Sequence, residues 1–150
     1  MILNTDMDDF EKAKYLLKKN NCSCVICGGS DVIISFEQGI RPLVSLTESG
    51  TDFSGFSAAD KIVGKAAALL YVLLDIKNVY GGVMSQQASE VFRNSGINFE
   101  YAVLTDEIVN RMNTGICPME DAVRNTYDPS EALSLIKNKL KIIDKNKKIY

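Results

Sequence analysis

A run of nine apolar residues, from Ala66 to Leu74, constrains the fold of this chain more than any other feature. The run carries no charge, so a helix formed by it would be apolar on every side, and such a helix is buried all round. In a chain of 150 residues, a second subunit could cover one side of it. We therefore expect a central buried helix and a homo-oligomer.

The residues before this run have the pattern of a helix start. Ser57 and Asp60 show the spacing of a capping box, which predicts one helix over residues 57–75. Lys61 and Lys65 would share a face of that helix, because they are four residues apart. The glycine between them costs about 1 kcal/mol relative to alanine in a helix interior, which indicates close packing by another part of the chain or by a ligand.

The rest of the chain predicts helices and strands in alternation. The predicted elements are a helix from about Asp6 to Lys19, a hairpin formed by CSCVIC and VIISF, a short helix over Leu43 to Leu46, a strand NVYGGVM, a helix from Ser85, a strand INFEYAVL, and helical pieces TDEIVNRM, PMEDAVRN and one starting at Asp128. This order predicts a single α/β domain over residues 1–150, a three-layer α-β-α sandwich around a mixed sheet.

Composition excludes several classes of function. The chain has no histidine, so it cannot by itself form a Ser-His or Cys-His dyad or supply an imidazole metal ligand. A net charge of -2 argues against a general polyanion surface, and the lysine-rich C-terminal tail is typical of a solvated helix end, so no nucleic-acid partner is expected. The apolar runs fall short of the roughly 20 residues that cross a bilayer. We expect a cytoplasmic protein without a membrane partner.

Three of the four cysteines lie close together in CSCVIC. The Cys24-x-x-Cys27 spacing suggests metal or redox chemistry, but on a strand these two positions face opposite sides. Cys22 and Cys24 would share a face, and two ligands do not complete a zinc site. We expect small buried strand residues and no metal.

The segment NRMNTGICPMED is a second candidate site. Cys117 precedes a proline-led helix, and a cysteine at a helix N-terminus favours the reactive thiolate. Glu120 would be the third residue of that helix, while Asn110 and Arg111 could hold a carboxylate or phosphate. The alternative is an ordered surface loop with a buried cysteine.

Three runs in combination, GIRPLVSL, ADKIVGKAAALL and NRMNTGICPMEDAV, resemble a family of small prokaryotic proteins of unknown function with a cytidine-deaminase-like fold. The resemblance extends from about Cys24 to Ile136. Zinc deaminases place a His or Cys, and a Glu two residues later, at the start of the second helix, and Pro-Cys-x-x-Cys at the start of the third. Neither motif is present at Asp60 or at Ser85, so the resemblance implies the fold without a zinc centre and without another cofactor.

The resemblance also implies that two helix N-termini lie side by side. They belong to the helix predicted from residue 57 and the helix predicted from Ser85, which correspond to the second and third helices of the deaminase fold. Their free N–H groups suit an anion, so the expected ligand is small, polar and anionic, and nucleotide-like by analogy with the fold. Asp60, Lys61 and Ser85 would line this pocket, with Lys65 one turn deeper.

Two alternatives stay open. One is a metal-independent enzyme in which Asp60 and Lys61 handle protons or Cys117 acts as nucleophile. The other is a structural or partner-binding module.

Overall fold

The structure is a computed structural model that describes residues 7–110 and 112–149, without the side chains of residues 148 and 149. In chain order its elements are α1 (Asp9–Asn20), β1 (Cys24–Gly28), β2 (Asp31–Ser35), α2 (Arg41–Glu48), β3 (Ser57–Val63), α3 (Lys65–Leu73), β4 (Asn78–Ser85), α4 (Gln86–Ser95), β5 (Asn98–Thr105), α5 (Pro118–Ala122) and α6 (Pro129–Ile149).

The strands form one mixed sheet in the order β2-β1-β3-β4-β5. β1 pairs antiparallel with both β2 and β3, whereas β3, β4 and β5 run parallel to one another. The predicted hairpin is confirmed: Gly28 and Asp31 form its last pair, and Gly29 takes a positive φ of 60° in the turn, a conformation open to glycine without strain.

Helices cover the two faces of the sheet unequally. Among the described helices, α1 covers one face, where it packs mainly on β1 and β3 and Leu16, Leu17 and Val25 form a small core. On the opposite face, α3 lies at the centre of the main core and packs against α2, α4, α5 and α6. These layers confirm the α/β three-layer architecture that was predicted.

Residues 57–63 correct the first sequence prediction, because they form β3 and not the start of a helix. The strand lies between β1 and β4 and is buried at Ala58, Ala59 and Val63. Burial does not alternate strictly along this strand, and without such alternation periodicity does not distinguish a short strand from a helix. Gly64 is the N-cap of α3, which begins at Lys65.

The segment after Thr105 is a second correction. The predicted helix TDEIVNRM is not formed by its described residues, and Val109 instead pairs with Ile116 in an isolated bridge. The Asn110 side chain accepts a hydrogen bond from the Thr114 N–H at 3.0 Å. Asparagine that bonds to nearby backbone in this way competes with helix formation.

Other predicted boundaries are close to those observed. α1 begins after Asp8, whose carboxylate accepts from the Glu11 N–H at 2.8 Å; the predicted first residue, Asp6, lies outside the described residues. Asp128 caps α6 through the Ser130 N–H at 2.9 Å. Within the described part of the chain, none of the helices has the length and apolar character needed to span a membrane.

The subunit itself covers the apolar helix α3. Every residue from Lys65 to Tyr71 is buried by the sheet and the neighbouring helices. This helix therefore needs no second subunit to cover it, and the expected homo-oligomer stays a prediction that must depend on another surface.

Candidate functional site

The carboxyl ends of the three parallel strands form the edge at which a ligand site was predicted. Pairing of Val63 with Met84, and of Ser85 with Thr105, places the starts of α3 and α4 on neighbouring strands. Ser85 is the N-cap of α4, and its hydroxyl accepts from the Ala88 N–H at 3.1 Å. The two helix starts are therefore adjacent as expected, although the first of them is at Lys65. We call this end of the sheet the carboxyl edge.

Glu120 occupies the N-terminus of α3. Its two carboxylate oxygens accept from the N–H groups of Lys65 and Ala66, each at 2.7 Å. Gly64 permits this approach, since a Cβ there would overlap the Glu120 carboxylate. Burial raises the pKa of Glu120, while the two N–H groups and the Lys65 ammonium act in the opposite direction. The first turn of α3 thus already holds an anionic group from the chain itself.

Lys65 makes the reciprocal contact with the short helix α5. Its Nζ donates to the carbonyls of Val123 and Arg124 at 3.0 and 3.2 Å and lies 3.9 Å from the centre of the Tyr127 ring. Only 1% of the residue is exposed, and burial lowers its pKa against the opposing effect of Glu120. Glu120 of α5 thus caps the start of α3, and Lys65 of α3 binds the carbonyls that follow α5. The two contacts hold the two helices together.

Asp60 lies beneath α3 and not at the carboxyl edge. Its Oδ2 accepts from the Tyr71 hydroxyl at 2.7 Å, and that hydroxyl lies 3.4 Å from the Cys24 thiol. Burial raises the pKa of Asp60 to about 6, although hydrogen bonds from Tyr71 and from the backbone act to lower it. Burial also raises the pKa values of Tyr71 and Cys24, so this network favours neutral groups.

Lys61 points away from Asp60. Its Nζ donates to the Asn21 side-chain oxygen at 2.9 Å, at the end of α1, whereas Asp60 bonds to Tyr71 of α3. The two side chains therefore reach opposite faces of the sheet, and the expectation that they line one pocket is wrong.

The segment of residues 106–117 contains the remaining predicted residues. The Asn110 side chain is bonded to Thr114 within this loop, and Arg111 lies outside the described residues. Cys117 is at the N-cap position of α5, as expected, but its side chain makes no capping hydrogen bond. Within the described chain, none of the predicted residues of this segment contacts the α3 terminus, whereas Glu120, which follows in α5, does.

The cysteines are separated by the sheet. Cys24 lies in the main core and Cys27 in the core under α1, as predicted. Cys22 joins the Cys27 side, which corrects the prediction that it shares a face with Cys24; it precedes β1 and its thiol reaches the Leu16 carbonyl at 3.8 Å. Among residues 7–110 and 112–149, no three His, Cys, Asp or Glu residues are grouped so that they could hold a metal ion.

A polar pair at the carboxyl edge was missed in the sequence. The Gln86 side-chain amide donates to the Asp106 carboxylate at 3.1 Å, and both residues are exposed. They directly follow β4 and β5, so their position just after two predicted strands could have identified them in the sequence.

A shallow pocket lined by Thr47, Phe53 and Leu74 lies elsewhere, between α2 and the end of α3.

Together these features define a class: an α/β protein with a mixed five-stranded sheet and helices on both faces, in which α3 and α4 begin without Cys or His. The chain belongs to the TM1506 family, described as a domain of unknown function (DUF1893), whose profile matches residues 12–140. The resemblance seen in the sequence is therefore confirmed.

A solved structure agrees with this assignment. The chain is similar to the DUF1893 family protein TM1506 from Thermotoga maritima, with 23% identity, a TM-score of 0.80 and coverage of 92% of each chain. A weaker likeness is to apo dCMP deaminase from the cyanophage S-TIM5, with 13% identity, a TM-score of 0.42, and coverage of 62% of this chain and 93% of that one. None of the curated proteins matches the chain.

Proposed function

We propose that this protein binds a small polar, nucleobase-containing ligand at the carboxyl edge, beside the start of α4, without a zinc centre. The observation that supports this is the exposed Gln86–Asp106 pair, held at 3.1 Å between the ends of neighbouring parallel strands. Side chains on loops at such an edge are presented by a rigid scaffold, which is where binding residues concentrate.

The chemistry of the pair suits a nucleobase better than a free anion. The Gln86 amide offers a donor and an acceptor, and the Asp106 carboxylate offers acceptors, so together they can match the adjacent donors and acceptors on the edge of a base. Glu120 occupies the first turn of α3, whereas α4 begins with the exposed side chains of Gln86 and Gln87. Asp106, Glu107 and Glu120 give this edge a negative character that disfavours a phosphate group.

Thermal unfolding with single compounds tests the proposal. Cytidine, uridine, adenosine and guanosine, their monophosphates and inorganic phosphate would each be added at millimolar concentration. A ligand present at about 100 times its Kd stabilises by about 2.7 kcal/mol, which raises the Tm of a chain of this size by about 5–10 °C. We expect such a rise with at least one nucleoside, and its loss in Gln86→Ala and Asp106→Ala.

Lys61→Ala is the matched control, because Lys61 lies on the other face of the sheet and its removal should leave the rise unchanged. Equal rises with phosphate and with a nucleotide would contradict base recognition. No rise with any compound, or loss of the rise in Lys61→Ala alone, would reject the proposed site.

A further inference from the structure

The edge strand β5 exposes four consecutive apolar residues, Tyr101 to Leu104. Tyr101 is 43%, Val103 54% and Leu104 40% exposed, and Ala102 is exposed as well. Successive side chains of a strand point to opposite faces. The run therefore makes both faces of this edge apolar.

This pattern indicates what kind of partner the edge fits. A protein that docked on one face of the sheet would cover only every second residue of the run. A strand added alongside β5 would cover all four, and would also bond to the outer N–H and C=O groups of β5, which are paired with no strand in the described part of the chain. Exposed edges of this kind are templates for strand pairing.

The other edge of the sheet differs. β2 has five residues against eight in β5, and its middle residue Ile33 packs on the main core. Its exposed apolar residues, Val32 and Ile34, are separated by that partly buried position. Only β5 combines length with an uninterrupted apolar run.

We propose that two copies of this chain pair antiparallel along β5 and form one continuous sheet across a twofold axis. Charge does not oppose such a contact, because Glu100 is the one charged residue of β5 and its carboxylate is paired with Lys14 of the same chain at 3.2 Å. A twofold contact uses the same surface on both copies and closes after two, so the identical edge of a second copy satisfies the whole strand.

A register centred on Ala102 fits this arrangement. It places the smallest side chain of the run on the axis and Tyr101 opposite the partner's Val103. Glu100 then faces the partner's Leu104, about 13 Å along the strand from the partner's Glu100 at about 3.3 Å per residue. No like charges are opposed, which would otherwise destabilise the pair.

Sedimentation equilibrium measures the expected assembly. The wild-type protein should have a mass of about 33 kDa, twice the 16.5 kDa of one chain. Val103→Lys should halve this mass, because a lysine on a strand edge opposes pairing. Val32→Lys on β2 is the matched control and should remain dimeric; circular dichroism would verify that both variants fold.

Cross-linking tests the register independently. In a Cys117→Ser background, which removes the partly exposed native thiol, Ala102→Cys would place two thiols on the axis with Cα atoms about 4.5–5.5 Å apart, a spacing that a disulfide spans. Oxidation with diamide should link the Ala102→Cys chains, and should leave Val32→Cys unlinked.

A monomeric wild-type protein at high micromolar concentration would overturn the proposal. So would a dimer that persists in Val103→Lys, or efficient cross-linking at position 32 with none at position 102. Ligand binding at the carboxyl edge is measured separately, so the failure of either proposal leaves the other unaffected.

Discussion

Single residues with apparent catalytic character serve the fold in this protein. Glu120 accepts two backbone N–H groups of α3, and Asp60 accepts the Tyr71 hydroxyl. Both carboxylates are withdrawn from water, which raises their pKa values. A raised carboxylate pKa marks many active sites. Here, however, both carboxylates accept hydrogen bonds from other groups of the fold.

Replacing Glu120 by glutamine should destabilise the protein. The amide retains one oxygen acceptor for two N–H donors, so one donor loses its partner, at a cost of about 1–3 kcal/mol in the free energy of unfolding. Urea unfolding measures this. The control is Asp121→Asn, which removes an exposed ion pair with Arg124 at 2.9 Å and should change stability by less than about 1 kcal/mol. Equal effects would show that the α3 contact is unimportant.

Asp60 should make stability depend on pH. Its pKa in the folded protein is about 6, above the value of about 3.9 for an unfolded chain, so the folded state holds this proton more tightly. The group therefore destabilises the fold progressively as pH rises from about 4 to about 6, by an amount on the order of 2–3 kcal/mol. Below that range the contribution is absent.

Asp60→Asn isolates this effect because asparagine does not titrate. Relative to wild type, the variant should gain stability as the pH is raised from about 4 to about 7, in urea unfolding at a series of pH values. A difference between the two proteins that stays constant with pH would contradict the assignment of the raised pKa to Asp60.

At the scale of elements, α3 and α5 stabilise each other through their ends. α5 has five residues, too few to persist as an isolated helix. Glu120 on α5 caps the start of α3, and Lys65 on α3 binds the carbonyls of Val123 and Arg124 that follow α5. This exchange holds residues 118–124 against the central helix.

Gly64→Ala should disturb that exchange, since its Cβ would displace the Glu120 carboxylate. We expect a loss of about 1–3 kcal/mol, and less than additive effects when it is combined with Glu120→Ala, because both changes remove the same hydrogen bonds. Gly115→Ala, where a Cβ would meet no atom within 4 Å, is the control. Full additivity in the double-mutant cycle would reject this explanation.

At the scale of the whole molecule, residues 7–110 and 112–149 contain no group of three His, Cys, Asp or Glu side chains that could hold zinc. The chain has no histidine, and α3 and α4 begin with Lys65-Ala66 and Gln86-Gln87. A structural or catalytic zinc requires at least three N, S or O ligands from the protein.

We expect the purified protein to contain no stoichiometric zinc, even after expression with added zinc, and its Tm to be unchanged by EDTA. Inductively coupled plasma mass spectrometry measures the metal content directly. One zinc ion per chain would contradict the prediction that this protein has no zinc centre.

Features that depend on interactions between nearby residues were predicted from the sequence, whereas contacts between distant segments were not. The hairpin turn at Gly29, a helix start at Ser85, the strand β5 and the Asp128-Pro129 helix start were predicted, since each depends on hydrogen bonds or alternation within a few residues. The sequence alone also shows that the zinc-deaminase motif is missing, because a motif depends only on which residue types are present.

Tertiary structure alone decided the state of residues 57–63. Their local pattern suits a helix cap, but the backbone partners offered by β1 on one side and β4 on the other stabilise a strand. Tertiary structure also decided the partners of Lys65 and Glu120, which are 55 positions apart and meet at a helix end. Local sequence determines local hydrogen bonds and side-chain periodicity, whereas contacts between distant segments depend on which surfaces the complete fold brings together.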